Sequence, residues 1–276
     1  MQTHKGDGSL RARGHCRRSE PASAASPPAH APPGARAGTL AASFSRAAAA
    51  YRTHARVQDA LADWLAGWLP ADRSGAALEL GAGPGLFSER LLPWKGRLLA
   101  TDLSARMCAE GRARLPGIEW AEAAAEHPPA GPWNWIFASS MLQWLADPPA
   151  AFAAWRGALA PGGRVLAGLY VAGTLREWHE IAGPAAPVTW RSSGQWRAFL
   201  QAAGLRLLRD ETAHRRFQHA SARALLRSLH GIGAAPSRRI RPAALLRFLR
   251  EYDRRHREAD GVRSSWTFYR FEATRG

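Results

Sequence analysis

A loop of alternating glycines and an acidic residue beyond it are the positions of this sequence most suggestive of chemistry. An apolar run from Ala76 to Leu80 ends at Gly81, Gly83 and Gly85, and Asp102 closes the next apolar run. Glycines at alternate positions allow a tight turn and the close approach of a ligand to the backbone. An acidic side chain about twenty residues later can accept hydrogen bonds from both hydroxyls of a ribose. The combination predicts a nucleoside-bearing cofactor across the ends of two neighbouring parallel strands.

The residues around the glycines distinguish between kinds of cofactor. A dinucleotide fingerprint would need glycine where this chain has Leu86, and the Gly-Lys-Ser/Thr of a phosphate-binding loop is absent. The pattern Glu-x-Gly-x-Gly-x-Gly resembles the first motif of class I S-adenosylmethionine-dependent methyltransferases. That resemblance implies S-adenosylmethionine as the cofactor. The expected cofactor-binding residues are Glu79, Gly81, Ala82, Gly83, Gly85, Asp102, Leu103 and Ser139. A glycine-rich turn in another kind of α/β protein is the alternative interpretation.

Strand and helix patterns alternate along the middle of the chain. The expected strands are residues 76–80, 97–103, 118–121, 133–138, 164–170, 205–217 and 266–274. Alternation of this kind is typical of a parallel sheet with right-handed crossovers and helices on both faces. Ligands of such sheets bind beyond the carboxyl ends of the strands. We therefore expect an α/β fold: a Rossmann-like, seven-stranded class I methyltransferase sheet with a helical insertion before the last strand.

The chain divides into a tail, one large domain and an insertion within that domain. Residues 1–39 are rich in Pro, Ala, Ser, Gly and Arg without hydrophobic periodicity, so we expect a disordered tail. Residues 40–276 are expected to form the methyltransferase domain. Within it, residues 218–262 have helical patterns and carry 10 arginines against 4 acidic residues. We expect this insertion to form a lid near the substrate.

Composition limits the class of protein. Of the 276 residues, 46% are hydrophobic, and no apolar run approaches the length of a membrane span. The two cysteines, Cys16 and Cys108, have no metal-ligand spacing and suggest no disulfide framework. These features predict a soluble, cytoplasmic protein without a metal. The formal net charge of +16 favours an anionic partner.

A closer resemblance covers about residues 40–276, in order and without large gaps. The segments that carry it are FSRAAAAYRTHARVQ at 44–58, LELGAGPG at 78–85, TDLSARM at 101–107, LQW at 142–144, LAPGGRV at 159–165 and RSLHGIGA at 227–234. Together they resemble the malonyl-acyl-carrier-protein O-methyltransferases of biotin synthesis. The glycine and Pro-Gly-Gly segments occur in many methyltransferases, whereas the first, fourth and last segments are closer to this family.

The resemblance implies methylation of the free carboxylate of a malonyl thioester on acyl carrier protein, an early step toward pimeloyl and biotin. The candidate substrate-binding residues are Arg46, Tyr51, Gln143, Trp144 and Arg227. Carrier proteins of this kind are acidic, which would give the arginine-rich insertion a partner. Neither nucleic acid nor a membrane is expected as a partner. Alternatively, the insertion has an ordinary solvent-exposed face, and its arginine content reflects the codon bias of a GC-rich genome.

Two positions depart from the family pattern. Glu122 and Ala123 stand where the family usually has Gly-Asp, whose aspartate can accept from the adenine amino group, and Ser139 replaces an asparagine. Adenine recognition would then rest on backbone groups, on Glu122 or on Glu126. The departures leave open a diverged protein that acts on another small carboxylate or binds the cofactor without turnover.

The implied reaction sets modest chemical requirements. A carboxylate is already a nucleophile at neutral pH, so we expect no catalytic acid or base. The protein must instead align the reacting atoms and strip water from the carboxylate.

The net charge also suggests an RNA methyltransferase. That class would be expected to show an Asn/Asp-Pro-Pro-Tyr motif or a paired catalytic cysteine, and neither occurs here.

Overall fold

A central β-sheet organises the part of the chain that the computed structural model describes, residues 33–183, 190–234 and 241–276. Its strands are β1 (Ala77–Leu80), β2 (Leu98–Asp102), β3 (Glu119–Glu122), β4 (Trp133–Ser139), β5 (Leu159–Tyr170), β6 (Arg206–His219), β7 (Arg257–Glu258) and β8 (Gly261–Thr274). The predicted strands are all present. β5 and β8 begin five residues earlier than predicted.

The strand order places the glycine loop near the centre of the sheet. Seven strands follow the order β3-β2-β1-β4-β5-β8-β6, and the two-residue β7 pairs with β8. β1 to β5 are parallel, whereas β8 lies antiparallel between β5 and β6. The order reverses between β1 and β4, and a crevice is expected beyond the carboxyl ends of strands at such a point. The predicted seven-stranded α/β fold is confirmed.

Helices flank the sheet, and several of them begin at a residue whose side chain caps the helix. They are α1 (Pro33–Ala47), α2 (Tyr51–His54), α3 (Arg56–Ala66), α4 (Ser88–Leu91), α5 (Ala105–Arg114), α6 (Pro148–Ala158), α7 (Arg176–Ala182), α8 (Ser193–Ala202), α9 (Ala222–Gly231) and α10 (Pro242–Arg255). The predicted cap Ser104 accepts a hydrogen bond from Met107 N at 3.2 Å. Asp147 and Ser192 cap α6 and α8 in the same way.

Alternation along β4 shows how helices cover both faces of the sheet. Ile136 and Ala138 belong to one apolar core, which also contains Trp155 of α6. Phe137, between them, belongs to the core on the opposite face, together with Leu65 of α3. Successive side chains of a strand point to opposite faces, so one strand serves both cores. The part of the sheet that bears the site is therefore packed on both faces.

The first helix starts earlier than the predicted domain boundary. α1 begins at Pro33, so the boundary at residue 40 falls within this helix. Proline is favoured at a first helical position, and the alanines that follow favour helix. The predicted disorder of residues 1–32 lies outside the described residues. The single helical pattern predicted from Phe44 to Leu69 is divided, because a tight turn at residues 48–50 follows α1 and α3 begins only after Ala55.

The insertion is shorter than predicted because the two strands around it are longer. β6 and β8 pair from Arg206–Thr274 as far as His219–Val262. Residues 218–219 and 261–262 therefore belong to strands, and α9 and α10 lie between them. Both helices turn apolar residues toward α7 and the sheet, in a cluster that includes Leu225, Leu229, Leu249, Tyr252, Trp178 and Phe268. Within the described ranges, every helix is too short or too polar to cross a membrane.

Candidate active site

The loop between β1 and α4 is shaped by glycines with positive φ angles. Gly83 has a φ of 57° and Gly85 a φ of 90°, values that residues with a Cβ rarely adopt. A Cβ on Gly85 would lie 2.8 Å from Leu115 Cδ1, so this glycine lets the loop pack against the chain behind it. A Cβ on Gly83 would meet nothing within 4 Å, and Gly83 lines an open cavity. The two glycines thus serve packing and ligand access, respectively.

Asp102 ties the end of β2 to this loop. Its Oδ2 accepts a hydrogen bond from Gly83 N at 2.9 Å, and its Oδ1 accepts one from Ser104 N at 2.8 Å. Burial raises the pKa of Asp102 to about 6, although these two bonds oppose the shift; the nearby charge of Glu122 raises it further. The carboxylate therefore stands beside the cavity, oriented by two backbone donors.

Glu79 is a second acidic group at the same place. It lies on β1, is 1% exposed, and accepts a hydrogen bond from Ser88 Oγ at 2.6 Å. Burial raises its pKa to about 7; the Ser88 bond lowers the pKa and the Asp102 charge raises it. Both carboxyl groups thus have pKa values close to neutral pH. A cationic ligand would bind favourably beside them, because its positive charge would stabilise the ionised form of both groups.

Adjoining cavities extend from this loop along the carboxyl ends of the strands. The central cavity, about 520 Å³, is lined by residues that include Tyr51, Glu79, Gly83, Asp102, Ser139 and Ser140. The outer cavity, about 660 Å³, is lined by residues that include Leu40, Leu103, Ala123, Ala125, Glu126 and Leu145. The aromatic cavity, about 670 Å³, is lined by residues that include Gln58, Tyr170, Trp178, His179, Trp190 and Trp266. All three are open to solvent, and apolar surface with a few polar groups is typical of small-molecule sites.

Two aromatic side chains join the three cavities. Phe44 of α1 and Trp144 line all of them. Their rings meet edge to face, with centroids 5.7 Å apart and planes at 82°. α1 is anchored nearby, since Ser45 Oγ lies 2.8 Å from Ser104 Oγ. The helix therefore forms a wall over the cleft that reaches across to the segment after β4.

Most residues expected to bind the cofactor lie together. Six of them line the central cavity: Glu79, Gly81, Ala82, Gly83, Asp102 and Ser139. Leu103 lines the outer cavity, whereas Gly85 lines none of the three cavities. Of the two acidic candidates for adenine, Glu126 lines the outer cavity, and Glu122 is exposed and lines none of them.

The residues expected to bind the substrate are divided. Tyr51, Gln143 and Trp144 line the aromatic cavity. Arg46 and Arg227 are exposed and line none of the three cavities. Arg227 lies two positions from both Leu225 and Leu229, which α9 buries, so the helix turns the arginine to its opposite face. Arg46 precedes the buried Ala47 and Ala48 and is likewise turned outward.

Several residues of the aromatic cavity could not be found from local sequence. Gln58 comes from α3, Tyr170 from the end of β5 and Trp266 from β8. No short motif links them, because the fold brings together segments that lie about 100 residues or more apart in the chain. Tyr170 offers the one usable signal: it closes a strand whose carboxyl end must face the cleft. Across the described residues, no group of three or more His, Cys, Asp or Glu side chains could hold a metal ion.

The fold and the site define a class of protein. The strand order, with a glycine loop after β1 and an acidic side chain ending β2, is that of a class I methyltransferase. A family model described as a methyltransferase domain matches residues 77–163. A malonyl-[acyl-carrier protein] O-methyltransferase from Hahella chejuensis is 32% identical over 220 residues, which cover 75% of this chain and 77% of that protein. The chain belongs to the malonyl-[acyl-carrier protein] O-methyltransferase family.

Two further comparisons agree with this assignment. A biotin biosynthesis bifunctional protein from Cellvibrio japonicus is 29% identical over 204 residues, 71% of this chain and 40% of that protein. Among solved structures, the YcgJ protein from Bacillus subtilis matches with a TM-score of 0.59 at 13% identity, covering 78% of this chain and 97% of that one. The last similarity concerns the fold alone.

Proposed function

We propose that this protein transfers a methyl group from S-adenosylmethionine to the free carboxylate of a malonyl group carried by acyl carrier protein, within biotin synthesis. The observation that carries the proposal is the meeting of two unlike cavities at the switch point of the sheet. The central cavity is lined by Glu79 and Asp102, and it shares Tyr51, Gln58 and Ser140 with the aromatic cavity. A cationic donor and an acyl acceptor can thus occupy adjoining spaces.

The central and outer cavities fit S-adenosylmethionine. Gly83 leaves open space beside the loop, and the carboxylates of Glu79 and Asp102 complement a cation. Asp102 would accept hydrogen bonds from the ribose hydroxyls. The outer cavity would take the adenine, with Glu126 as the acidic side chain near its amino group, a role the family usually gives to the position of Ala123. When bound, the cofactor supplies a methyl group activated by a positive sulfur.

The chain contributes alignment and exclusion of water. A carboxylate needs no general base, and His179, in the aromatic cavity, has its pKa lowered by burial, so it is neutral at neutral pH. Tyr51 stands between the two spaces, and its pKa is raised by burial and by the Asp102 charge, so its hydroxyl keeps its proton. Phe44 and Trp144 cover the junction with apolar surface. These groups hold the acceptor in a dry site, which is what an in-line displacement requires.

The arginine-rich insertion would receive the carrier protein. Arg223 and Arg227 of α9 and Arg247 and Arg250 of α10 are exposed, on faces turned away from the apolar cluster. Charges of this kind raise the encounter rate with an acidic partner and are screened by salt. Arg227 would therefore act on the carrier rather than on the malonyl group. Arg238 and Arg239, which the charge pattern also includes, lie outside the described residues.

A transfer assay with two carriers tests this function. The protein is incubated with methyl-labelled cofactor and either malonyl or acetyl carrier protein, which differ in the free carboxylate. We expect label on the malonyl carrier alone. The matched control is Gly83→Val, which fills the open space beside the loop and should abolish labelling. Cofactor binding without any labelling of the malonyl carrier would contradict the proposal and favour a diverged protein that lacks turnover.

A further inference from the structure

The aromatic cavity lacks charged groups along its described lining. None of the described residues around it is a lysine, arginine, aspartate or glutamate. Its one titratable ring near neutrality, His179, is kept neutral by burial, which lowers its pKa. The substrate, however, carries a carboxylate, whose isolated charge is expensive to bury. The cavity must therefore stabilise an anion by other means.

Trp190 and Gln58, which line this cavity, each have a buried polar atom without a hydrogen-bond partner among the described residues. Trp190 Nε1 is buried and has no hydrogen-bond partner among the described residues. An indole nitrogen can only donate, so it lacks an acceptor, and a carboxylate is the strongest acceptor available to it. Gln58 is 5% exposed, and its Oε1 is likewise buried without a partner. An amide can turn to present its NH₂ group, so Gln58 can supply a second donor.

The hydroxyl of Tyr170 is a third polar group of this cavity, and it contacts Ser140, a residue with a strained backbone. Ser140 has a φ of 58°, in the left-handed region that residues with a side chain seldom adopt. The conformation is held by Gln143 Nε2, which donates to Ser140 O at 2.7 Å. Ser140 Oγ lies 3.0 Å from the hydroxyl of Tyr170, which is 2% exposed and whose pKa burial raises well above its ordinary value. Tyr170 therefore keeps its proton throughout the neutral range, and it can donate that proton to a ligand when Ser140 Oγ is the donor of their shared bond.

The neighbouring central cavity adds negative charge without supplying a positively charged side chain from its described lining. Its ionisable carboxyl groups are Glu79 and Asp102, and its described lining contains no lysine or arginine. An anionic substrate entering next to these two groups would be repelled unless a positive charge lies between them. Within the proposed function, the bound cofactor brings such a charge.

We propose that the substrate carboxylate is held by uncharged donors of the aromatic cavity, chiefly Trp190, Gln58 and Tyr170, and that the cation of the bound cofactor is its counter-charge. This inference rests on the proposed function. The donors orient the carboxylate without a permanent ion pair, which leaves the oxygen nucleophilic. Transfer forms the bond from carboxylate oxygen to methyl carbon and leaves the electron pair of the broken S–C bond on sulfur. The transfer removes both the positive charge on sulfur and the negative charge on the carboxylate. The products therefore lack this attraction and bind more weakly than the substrates.

A pair of tryptophan variants tests the donor. Trp190→Phe removes the N–H and keeps an aromatic ring. Trp196→Phe is the matched control, because Trp196 Nε1 is also buried without a partner but lies in the core under α8. Equilibrium binding of malonyl carrier protein is measured in the presence of sinefungin, which cannot transfer a methyl group. We expect Trp190→Phe to weaken this binding about 10-fold or more and Trp196→Phe to leave it unchanged. Equal affinities for both variants would overturn the assignment.

A comparison of cofactor analogues tests the counter-charge. Sinefungin carries an ammonium group in place of the sulfonium, whereas S-adenosylhomocysteine is neutral at sulfur. We expect malonyl carrier protein to bind at least about 10-fold more tightly with sinefungin, and acetyl carrier protein to show no such preference. Equal affinity of the malonyl carrier with both analogues would place the counter-charge on the protein and overturn the inference. The proposed function would survive that result, provided that wild-type protein still labels the malonyl carrier.

Discussion

Replacing Asp102 by asparagine is the sharpest perturbation of the proposed cofactor site. The side chain keeps its shape, but the amide has one oxygen where the carboxylate has two. Those two oxygens now accept from Gly83 N and Ser104 N at 2.9 and 2.8 Å, so an NH₂ group must face one of these donors. The ribose hydroxyls of the bound cofactor would likewise lose a charged acceptor, and loss of a hydrogen bond to a charged group costs about 1.5–3 kcal/mol. We therefore expect cofactor affinity to fall by about 10- to 150-fold.

The assay is calorimetric titration with S-adenosylmethionine at pH 8, above the Asp102 pKa of about 6. Glu122→Gln is the control, because Glu122 pairs with Asp102 across β2 and β3 but is exposed and does not line the cavities. The control should bind the cofactor as the wild type does. Wild-type affinity in an Asp102→Asn protein that is still folded would refute the assignment of the central cavity.

Further outcomes follow from the same geometry. Cofactor affinity should fall as pH drops from 8 to 5, since protonation of Glu79 and Asp102, with pKa values raised to about 7 and 6, removes the anions that favour a cation; titrations across this range check it, and Glu79→Gln should flatten the upper part of the profile. Gly83→Val should abolish measurable cofactor binding, because the side chain occupies open space and a φ of 57° disfavours it; calorimetry decides, and retained affinity would contradict the loop assignment. Deleting residues 1–32, which lack a core-forming pattern, should leave methyl transfer intact; an inactive or insoluble truncation would show that this segment is needed. Reversing Arg223 and Arg227 to glutamate should raise the apparent KM for malonyl carrier protein at low ionic strength and leave cofactor affinity unchanged; an unaltered salt dependence of the rate would place carrier docking elsewhere.

The sequence allowed the sheet and the cofactor loop to be predicted because both depend on local patterns. Apolar runs ending in glycine determine where a strand gives way to a loop, and parallel strands bring Gly83 and Asp102 to one edge. The early start of α1 was harder to foresee, because residues 33–39 share the alanine-rich, glycine-containing composition of the tail before them. Strand length was also underestimated. The pairing of β6 with β8 continues past Phe217 through residues that carry no apolar alternation of their own.

The substrate side could be predicted only in part, because side-chain direction on a helix depends on what the helix packs against. Arg46 and Arg227 have the charge expected of an anion site, yet each is turned outward by buried neighbours on its own helix. Trp190 and Gln58 carry no charge; Trp190 lies in none of the family segments, and Gln58 closes the first of them without a pattern that marks it as a binding residue. They reach the cavity through tertiary packing alone. Their unpaired polar atoms became visible only with the structure.

The central claim is that the methyl group ends on the malonyl carboxylate. Mass spectrometry of malonyl carrier protein after incubation with the protein and unlabelled S-adenosylmethionine tests it most directly, with fragmentation of the prosthetic arm to locate the added group. We expect one methyl group per carrier, on the distal carboxylate of the malonyl unit, and none on acetyl carrier protein. An unmodified malonyl carrier, or a methyl group located on a side chain of the carrier, would contradict the account.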